Sequence, residues 1–428
     1  METVVTKNKR NKWVTICLCI AMIFTCLGFC SSNKSLYLNA ITEALGFSRT
    51  AYATATSCRF IVTAIINIFL GRFVIKFGIK RMIGIGFLFL LSSLFTNIVA
   101  TNVLAFCVSE SLAGIGFSFT GTAVVSTIVN NWCKENQGTV MGIILSSNGI
   151  GGALAAQIVT PIIYQEGAAF GYRSAYKLVF LIVALVGVLV FLFLKEKPDG
   201  DDNTPVTPVK KKQRGSVWVG MDYSDAKKKP FFYGAAICIF LTGMCLHGVS
   251  GVSSAHFIDK GFDSALVATI ASISSLALTC SKFFVGFIYD KLGLRRSISI
   301  CSIAAILAFL ILGIVSNNRA GHIMSLIYAV LVSVALPLET IMLPLYAGDL
   351  FGQKAYAKMV GIFVAINVSG YAVGSPIVNL GYDLFGTYDG MFIATAIVMT
   401  GVLIALQFVI KSAHKCRDEI IAKEEAHA

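Results

Sequence analysis

Arg59, Lys282, Glu110, Glu339 and His247 are ionisable side chains set inside long apolar runs. Cations there can bind an anion, and acids or a histidine can carry a proton. An ionisable group at the centre of a membrane helix costs at least ~2.5 kcal/mol, so each is a functional candidate. On a helix, Arg59, Thr63 and Asn67 share one face and form a polar stripe suited to a water-filled path. A structural pair with an acid on another helix is the competing role. Lys282 precedes Asp290 by eight positions, ~12 Å of helix, too far for its stem to reach the loop. It is expected to face a cavity with Ser275, Thr279 and Gly286. A lysine meets a carboxylate as a point charge, with less defined geometry than an arginine fork.

Glu339 lies between Pro337 and Pro344. Burial favours a neutral carboxyl and a nearby cation favours the ionised one. Glu110 and Glu339 therefore either carry a coupling proton or neutralise Arg59 or Lys282. His247 titrates near neutrality when unperturbed and is either a proton relay or a hydrogen-bonded packing residue; His256 is a weaker candidate of the same kind. Asn148 and Asn367 recur at an offset of 219, as do Gly142 and Gly361, and Gly151 and Gly370. The amides either line a central cavity or bond between helices that the glycines let approach.

These residues need spanning elements to hold them. The chain of 428 residues is 56% hydrophobic and 13% charged, against ~25% charged for soluble domains. Apolar runs near 13–33, 50–71, 82–100, 103–130, 138–163 and 174–194, and near 231–256, 265–289, 297–315, 321–349, 357–380 and 391–411, predict twelve spans. Each is long enough to cross a hydrocarbon core of ~30 Å. They lack the alternation of barrel strands, so the fold class is all-α membrane protein, in two six-helix bundles. The predicted organisation is a tail at 1–12, bundles at 13–195 and 231–411, a linker at 196–230 and a second tail at 412–428.

Lysines and arginines crowd both tails, the linker and alternate loops. The positive-inside rule places these in the cytoplasm and accounts for the net charge of +13. Basic residues scattered over short loops exclude a nucleic-acid partner. The first apolar run has no convincing cleavage site and is expected to be retained. The linker opens polar at Pro198-Asp199-Gly200-Asp201-Asp202 and turns basic at Lys210-Lys211-Lys212. Trp218 and Tyr223 near Lys227-Lys228-Lys229 fit either an interfacial segment or a plain anchored linker. The 12 cysteines show no metal-ligand spacing and read as small buried hydrophobes. There is no nucleotide-binding P-loop, no catalytic constellation and no expected cofactor.

One loop occurs twice. Gly71-Arg72-Phe73-Val74-Ile75-Lys76-Phe77-Gly78-Ile79-Lys80-Arg81 and Gly286-Phe287-Ile288-Tyr289-Asp290-Lys291-Leu292-Gly293-Leu294-Arg295-Arg296 lie 215 positions apart, an offset that also aligns Gly46-Phe47 with Gly261-Phe262. Internal repeats of this kind build many secondary transporters. The loops resemble the signature of the major facilitator superfamily, in which glycine turns and an acid meeting basic residues hold the cytoplasmic face shut. Gly286, Asp290, Lys291, Gly293, Arg295 and Arg296 fit it fully. Gly71, Lys76, Gly78, Lys80 and Arg81 fit the first copy, but Ile75 stands where the acid is expected.

Further stretches resemble the branch of oxalate–formate antiporters and monocarboxylate transporters: Glu43-Ala44-Leu45-Gly46-Phe47-Ser48-Arg49, Asn131-Trp132 with Gly138, Asp349-Leu350-Phe351-Gly352 and Gly374-Ser375-Pro376. The resemblance implies roles for Lys34, set like a lysine late in span 1, and for Lys282, at an arginine position of span 8. It fails at Leu278, where one group has an aspartate. It fails again near Asn367 and Tyr371, where the other has a lysine. It implies a monomeric secondary transporter of a small mono- or dicarboxylate in a bacterial inner membrane. Transport would run as proton symport or anion exchange. An exporter of cationic or amphipathic compounds using Glu110 and Glu339, or a non-transporting receptor, are the rival expectations.

Overall fold

A computed structural model of the chain describes residues 2–133, 137–165, 170–196, 220–352, 354 and 356–427. Most of the linker, with Lys210-Lys211-Lys212 and Trp218, lies outside the described residues. Among those described, eleven helices are long and apolar enough to cross a membrane. One of them, Ser264–Ile314, runs 51 residues and breaks at Gly293, whose φ is 76°. At 1.5 Å per residue it would span ~75 Å, more than two bilayer cores. It supplies two spans and the others one each, twelve in all. The chain is an all-helical, multi-pass membrane protein.

The first half comprises α1 (Glu2–Ile23), a π-helical turn (Phe24–Phe29), α2 (Lys34–Leu45), α3 (Arg49–Phe77), α4 (Ile79–Val99), α5 (Val103–Thr120), α6 (Thr122–Trp132), α7 (Gln137–Ile163) and α8 (Gly171–Phe193). The second comprises a short α9 (Tyr223–Ala226), α10 (Pro230–Ser250), α11 (Ser253–Asp259), α12 (Ser264–Ile314) and α13 (Arg319–Ala335). A 3-10 turn (Leu336–Glu339), α14 (Met342–Phe351), α15 (Tyr356–Phe385) and α16 (Asp389–His427) complete it.

The chain divides into two compact units. Unit 1 is Met1–Lys212 with Phe257–Thr279; unit 2 is Gln213–His256 with Cys280–Ala428. In unit 1, Tyr37 and Tyr176 stack at 4.4 Å within a core that includes Tyr52, Phe106 and Tyr172. In unit 2, Phe232, Phe351 and Phe363 pack together, and Tyr388 stacks on Phe392 at 5.8 Å. Large apolar side chains such as Ile68, Leu104, Ile397 and Phe408 are exposed, as a surface against lipid tails requires.

Each unit uses the same glycine seam. A Cβ on Gly28 would lie 2.7 Å from the Gly151 Cα, and one on Gly151 would lie 2.4 Å from the Phe24 carbonyl oxygen. In unit 2 a Cβ on Gly370 would lie 2.4 Å from the Phe240 carbonyl oxygen, and one on Gly374 2.1 Å from that of Met244. Backbones therefore touch between span 1 and α7, and between α10 and α15. Several expected spans are segmented. The fourth is interrupted at Gly121, which has extended backbone, and the tenth by the 3-10 turn before Thr340. Apolar content alone does not mark such breaks.

Candidate functional site

In unit 1 the π-helical turn ends one strand of hydrogen bonding, and Lys34 opens the next helix. Wide turns of this type are frequent at functional sites. Lys34 is thus the first residue of a new helix instead of a late residue of span 1. Its Nζ pairs with Glu110 Oε1 of α5. Arg59 of α3 places Nε 3.8 Å from Glu110 Oε2. Glu110 is 1% exposed, Arg59 8% and Lys34 18%, so two cations face one buried acid.

Arg59 is incompletely matched. Its Nη1 donates to Ser31 Oγ at 3.4 Å, while Nε and Glu110 Oε2 are both buried without a hydrogen bond. Its guanidinium carbon lies 4.6 Å from the Phe60 ring centroid and 5.6 Å from that of Phe117. A guanidinium offers five N–H donors; among the described residues this one makes a single hydrogen bond, to Ser31, and its buried Nε makes none. Thr63 donates to the Gly114 carbonyl at 3.2 Å, which fastens the polar stripe to α5, and Asn67 is exposed. Next to Ser31, Ser32 donates to Asn148 Oδ1 at 3.1 Å, and Asn33 donates to the Gly152 carbonyl at 2.7 Å.

In unit 2, Glu339 ends the 3-10 turn and is 7% exposed. Its Oε1 is buried without a hydrogen-bond partner. The His247 ring stacks on Tyr371 at 4.4 Å. Lys282 is half-buried and has no ion pair or hydrogen bond among the described residues. Ser275 and Thr279, expected on its face, pack in unit 1 against Gly152 and Gly149. Asn367 is buried and donates to the Ile239 carbonyl at 3.2 Å, beside Gly243, which is the helix-packing use of that amide. His256 bonds the Leu312 carbonyl at 2.9 Å and lies 3.9 Å from Asp389.

The repeated loops share their turn. Gly78 and Gly293 have φ of 75° and 76°, a left-handed backbone that glycine adopts without strain. Around the first turn, Ile75 is 80% exposed, and the acid comes from elsewhere. Glu196, after α8, accepts from the Lys80 backbone N–H at 2.6 Å, at the start of α4. Asn131 and Trp132 hold that segment by bonds to the Glu196 and Lys195 carbonyls. Gly71 lies within α3, Arg72 and Lys76 are exposed, and so is Arg81. Around the second turn, Asp290 is exposed with no ion pair among the described residues. Lys291 Nζ lies 4.4 Å from the Phe287 ring centroid, Arg295 donates to Gln407 Oε1 at 2.6 Å, and Arg296 is exposed. Gly286 has open space around its missing Cβ.

Three polar clusters were not foreseen from the sequence. Arg49, within the quoted start of span 2, grips Asp259 with contacts of 2.5 and 2.7 Å, and Asn39 adds a 2.9 Å bond to the same carboxylate. Asp349 accepts from His414 at 2.8 Å and lies 3.7 Å from Arg417. Glu196 is the third. Each joins residues far apart in the chain, and no local spacing announces them.

A transporter fold with ionisable side chains set inside the spans of each half is the class these features define, and comparison agrees. The sequence profile of the Major Facilitator Superfamily matches residues 16–345 and 254–427. The chain belongs to that superfamily of membrane transporters. It is similar to the sialic acid transporter NanX of Escherichia coli (strain K12), 23% identical over 273 residues, 61% of this chain and 61% of that protein. It is also similar to multidrug resistance protein 2 of Bacillus subtilis (strain 168), 27% identical over 326 residues, 73% of this chain and 76% of that one. Among solved structures, the nucleoside transporter NupG aligns with a TM-score of 0.76 at 16% identity, covering 94% of this chain and 99% of its own; that likeness concerns the fold alone.

Proposed function

We propose that this transporter carries a small organic anion, with Arg59 of unit 1 receiving its carboxylate. The observation that carries the reading is the charge balance at Glu110: Lys34 and Arg59 face one acid. One bound carboxylate would bring that cluster to neutrality, and the open N–H groups of Arg59 offer it a two-pronged hydrogen bond. Lys282 is a second unmatched cation, in unit 2. The similarity to a sialic acid transporter supports an anionic solute, since such an acid is ionised at neutral pH. The resemblance to carboxylate antiporters and symporters points the same way. The similarity to a multidrug resistance protein and the lone Glu339 carboxyl favour the rival reading, an exporter of cations.

Uptake into proteoliposomes decides between them. The panel is a set of labelled mono- and dicarboxylates including a sialic acid, a nucleoside and a cationic dye. Accumulation of at least one carboxylate, with the nucleoside and dye left outside, is expected. Movement of the dye with every carboxylate excluded would overturn the anion reading.

A further inference from the structure

We propose that the solute of this transporter is a hydroxycarboxylate, and that Asn148 of α7 recognises its hydroxyl group while Arg59 holds its carboxylate. The inference rests on the anion reading above and names the class of acid, which that reading leaves open. It starts from the break in span 1. Ser31, Ser32, Asn33 and Lys34 are four polar residues in a row, and each turns to a different partner. Ser31 accepts from Arg59 of α3, Ser32 bonds Asn148 of α7, Asn33 donates to the Gly152 carbonyl and Lys34 pairs with Glu110 of α5. Consecutive Cα atoms lie ~3.8 Å apart, so the Arg59 and Asn148 contacts are near neighbours, within the length of one small molecule.

Some of these groups are spent on the fold. Asn33 is buried, and its bond to Gly152 joins the Gly28–Gly151 backbone contact in fastening span 1 to α7. Others are left over. Ser31 is partly exposed and accepts from Arg59, and its own O–H donates to nothing among the described residues. Ser32 has one proton and two acceptors in reach, the Leu27 carbonyl at 3.0 Å and the Asn148 side chain at 3.1 Å. An amide has a donor end and an acceptor end. Whichever end Asn148 turns toward Ser32, its other end makes no hydrogen bond among the described residues. Asn148 is partly exposed, so a solute can reach that end. A hydroxyl group both donates and accepts, so it pairs with either end of the amide. A methylene pairs with neither.

The related position in unit 2 shows the opposite use. Asn367, at an offset of 219, is 1% exposed, and its amide N–H is consumed by the Ile239 carbonyl. That asparagine fastens two helices. In unit 1 the fastening is done by Asn33 and the glycine contact, and Asn148 bonds only a serine side chain. The break thus offers a cation for a carboxylate and, one residue along, an amide for an oxygen carried on the same molecule.

Binding of paired acids to the purified full-length protein, measured by calorimetry, tests this. The pairs are lactate with propionate, malate with succinate, and gluconate with hexanoate; the two acids of a pair differ only in hydroxyl groups. One neutral hydrogen bond changes affinity by up to about tenfold. Wild type should therefore bind the hydroxylated member of at least one pair about tenfold more tightly. Asn148→Leu should bring that ratio to within about twofold and leave the affinity for the plain acid unchanged. Asn148→Ala is the second variant, should leucine not fit the helix contact. An asparagine that merely packs would weaken both acids alike and leave the ratio as it is. Equal affinities within every pair, or a preference that persists in both Asn148 variants, would overturn this inference and leave the anion reading standing. No binding of any of these acids would overturn the anion reading and this inference with it.

Discussion

The two units hold their buried carboxyl groups in opposite ways. In unit 1, Glu110 stands between Lys34 and Arg59, fixed by charge. In unit 2, Glu339 is buried with Oε1 unbonded, and no Lys or Arg pairs with it among the described residues. The backbone around them is nearly the same device twice, since the Gly28–Gly151 seam of unit 1 recurs at Gly243 and Gly370 of unit 2. A repeated scaffold has thus been given different charges.

The contrast breaks most visibly under carboxyl-to-amide substitution. Glu110→Gln leaves two buried cations without their acid and should cost about 3–5 kcal/mol. Glu339→Gln removes a carboxyl that no Lys or Arg pairs with among the described residues and should cost less than about 1 kcal/mol, within the range of mild substitutions. Thermal melting of the purified proteins in detergent reads both. Equal losses would mean that Glu339 is paired as firmly as Glu110.

The shared seam gives a smaller effect. Gly151→Ala forces a methyl to within 2.4 Å of the Phe24 carbonyl oxygen, and overpacking of this kind costs about 1–3 kcal/mol. Gly370→Ala meets the Phe240 carbonyl at the same distance and should lose a similar amount in the same melting assay. A loss in only one of them would show that the units do not share the seam. Smallest of all is Gly286→Ala, which meets nothing within 4 Å. Replacing a helical glycine by alanine there should raise stability by up to about 1 kcal/mol. A lower melting temperature would reveal a contact in another conformation.

The fold was largely legible because apolar runs and repeated glycines are local signals. Gly78 and Gly293 could be paired by counting, and both prove to be the left-handed turns. The candidate charges were legible for the same reason, as polar residues in apolar surroundings. Their partners were not. Lys34 reads as a late residue of span 1, yet the π-helical turn restarts the helix there and brings it to Glu110. The acid missing at Ile75 is supplied by Glu196 from the end of α8, a contact set by packing across 116 positions. The segmentation of span 10 is hinted at by two prolines, but only three-dimensional packing leaves Glu339 without a Lys or Arg partner among the described residues.

The most direct test of the anion site is the affinity of purified protein for its preferred carboxylate, measured by calorimetry in wild type, Arg59→Gln and Glu110→Gln. Losing the cation that faces a buried anion costs about 3–5 kcal/mol, so Arg59→Gln should weaken binding by about two to four decades. Glu110→Gln removes the competing acid and should bind the anion at least as tightly as wild type. If Arg59→Gln binds normally, or if Glu110→Gln loses affinity as severely as Arg59→Gln, the cluster is a structural ion pair and the anion site lies elsewhere.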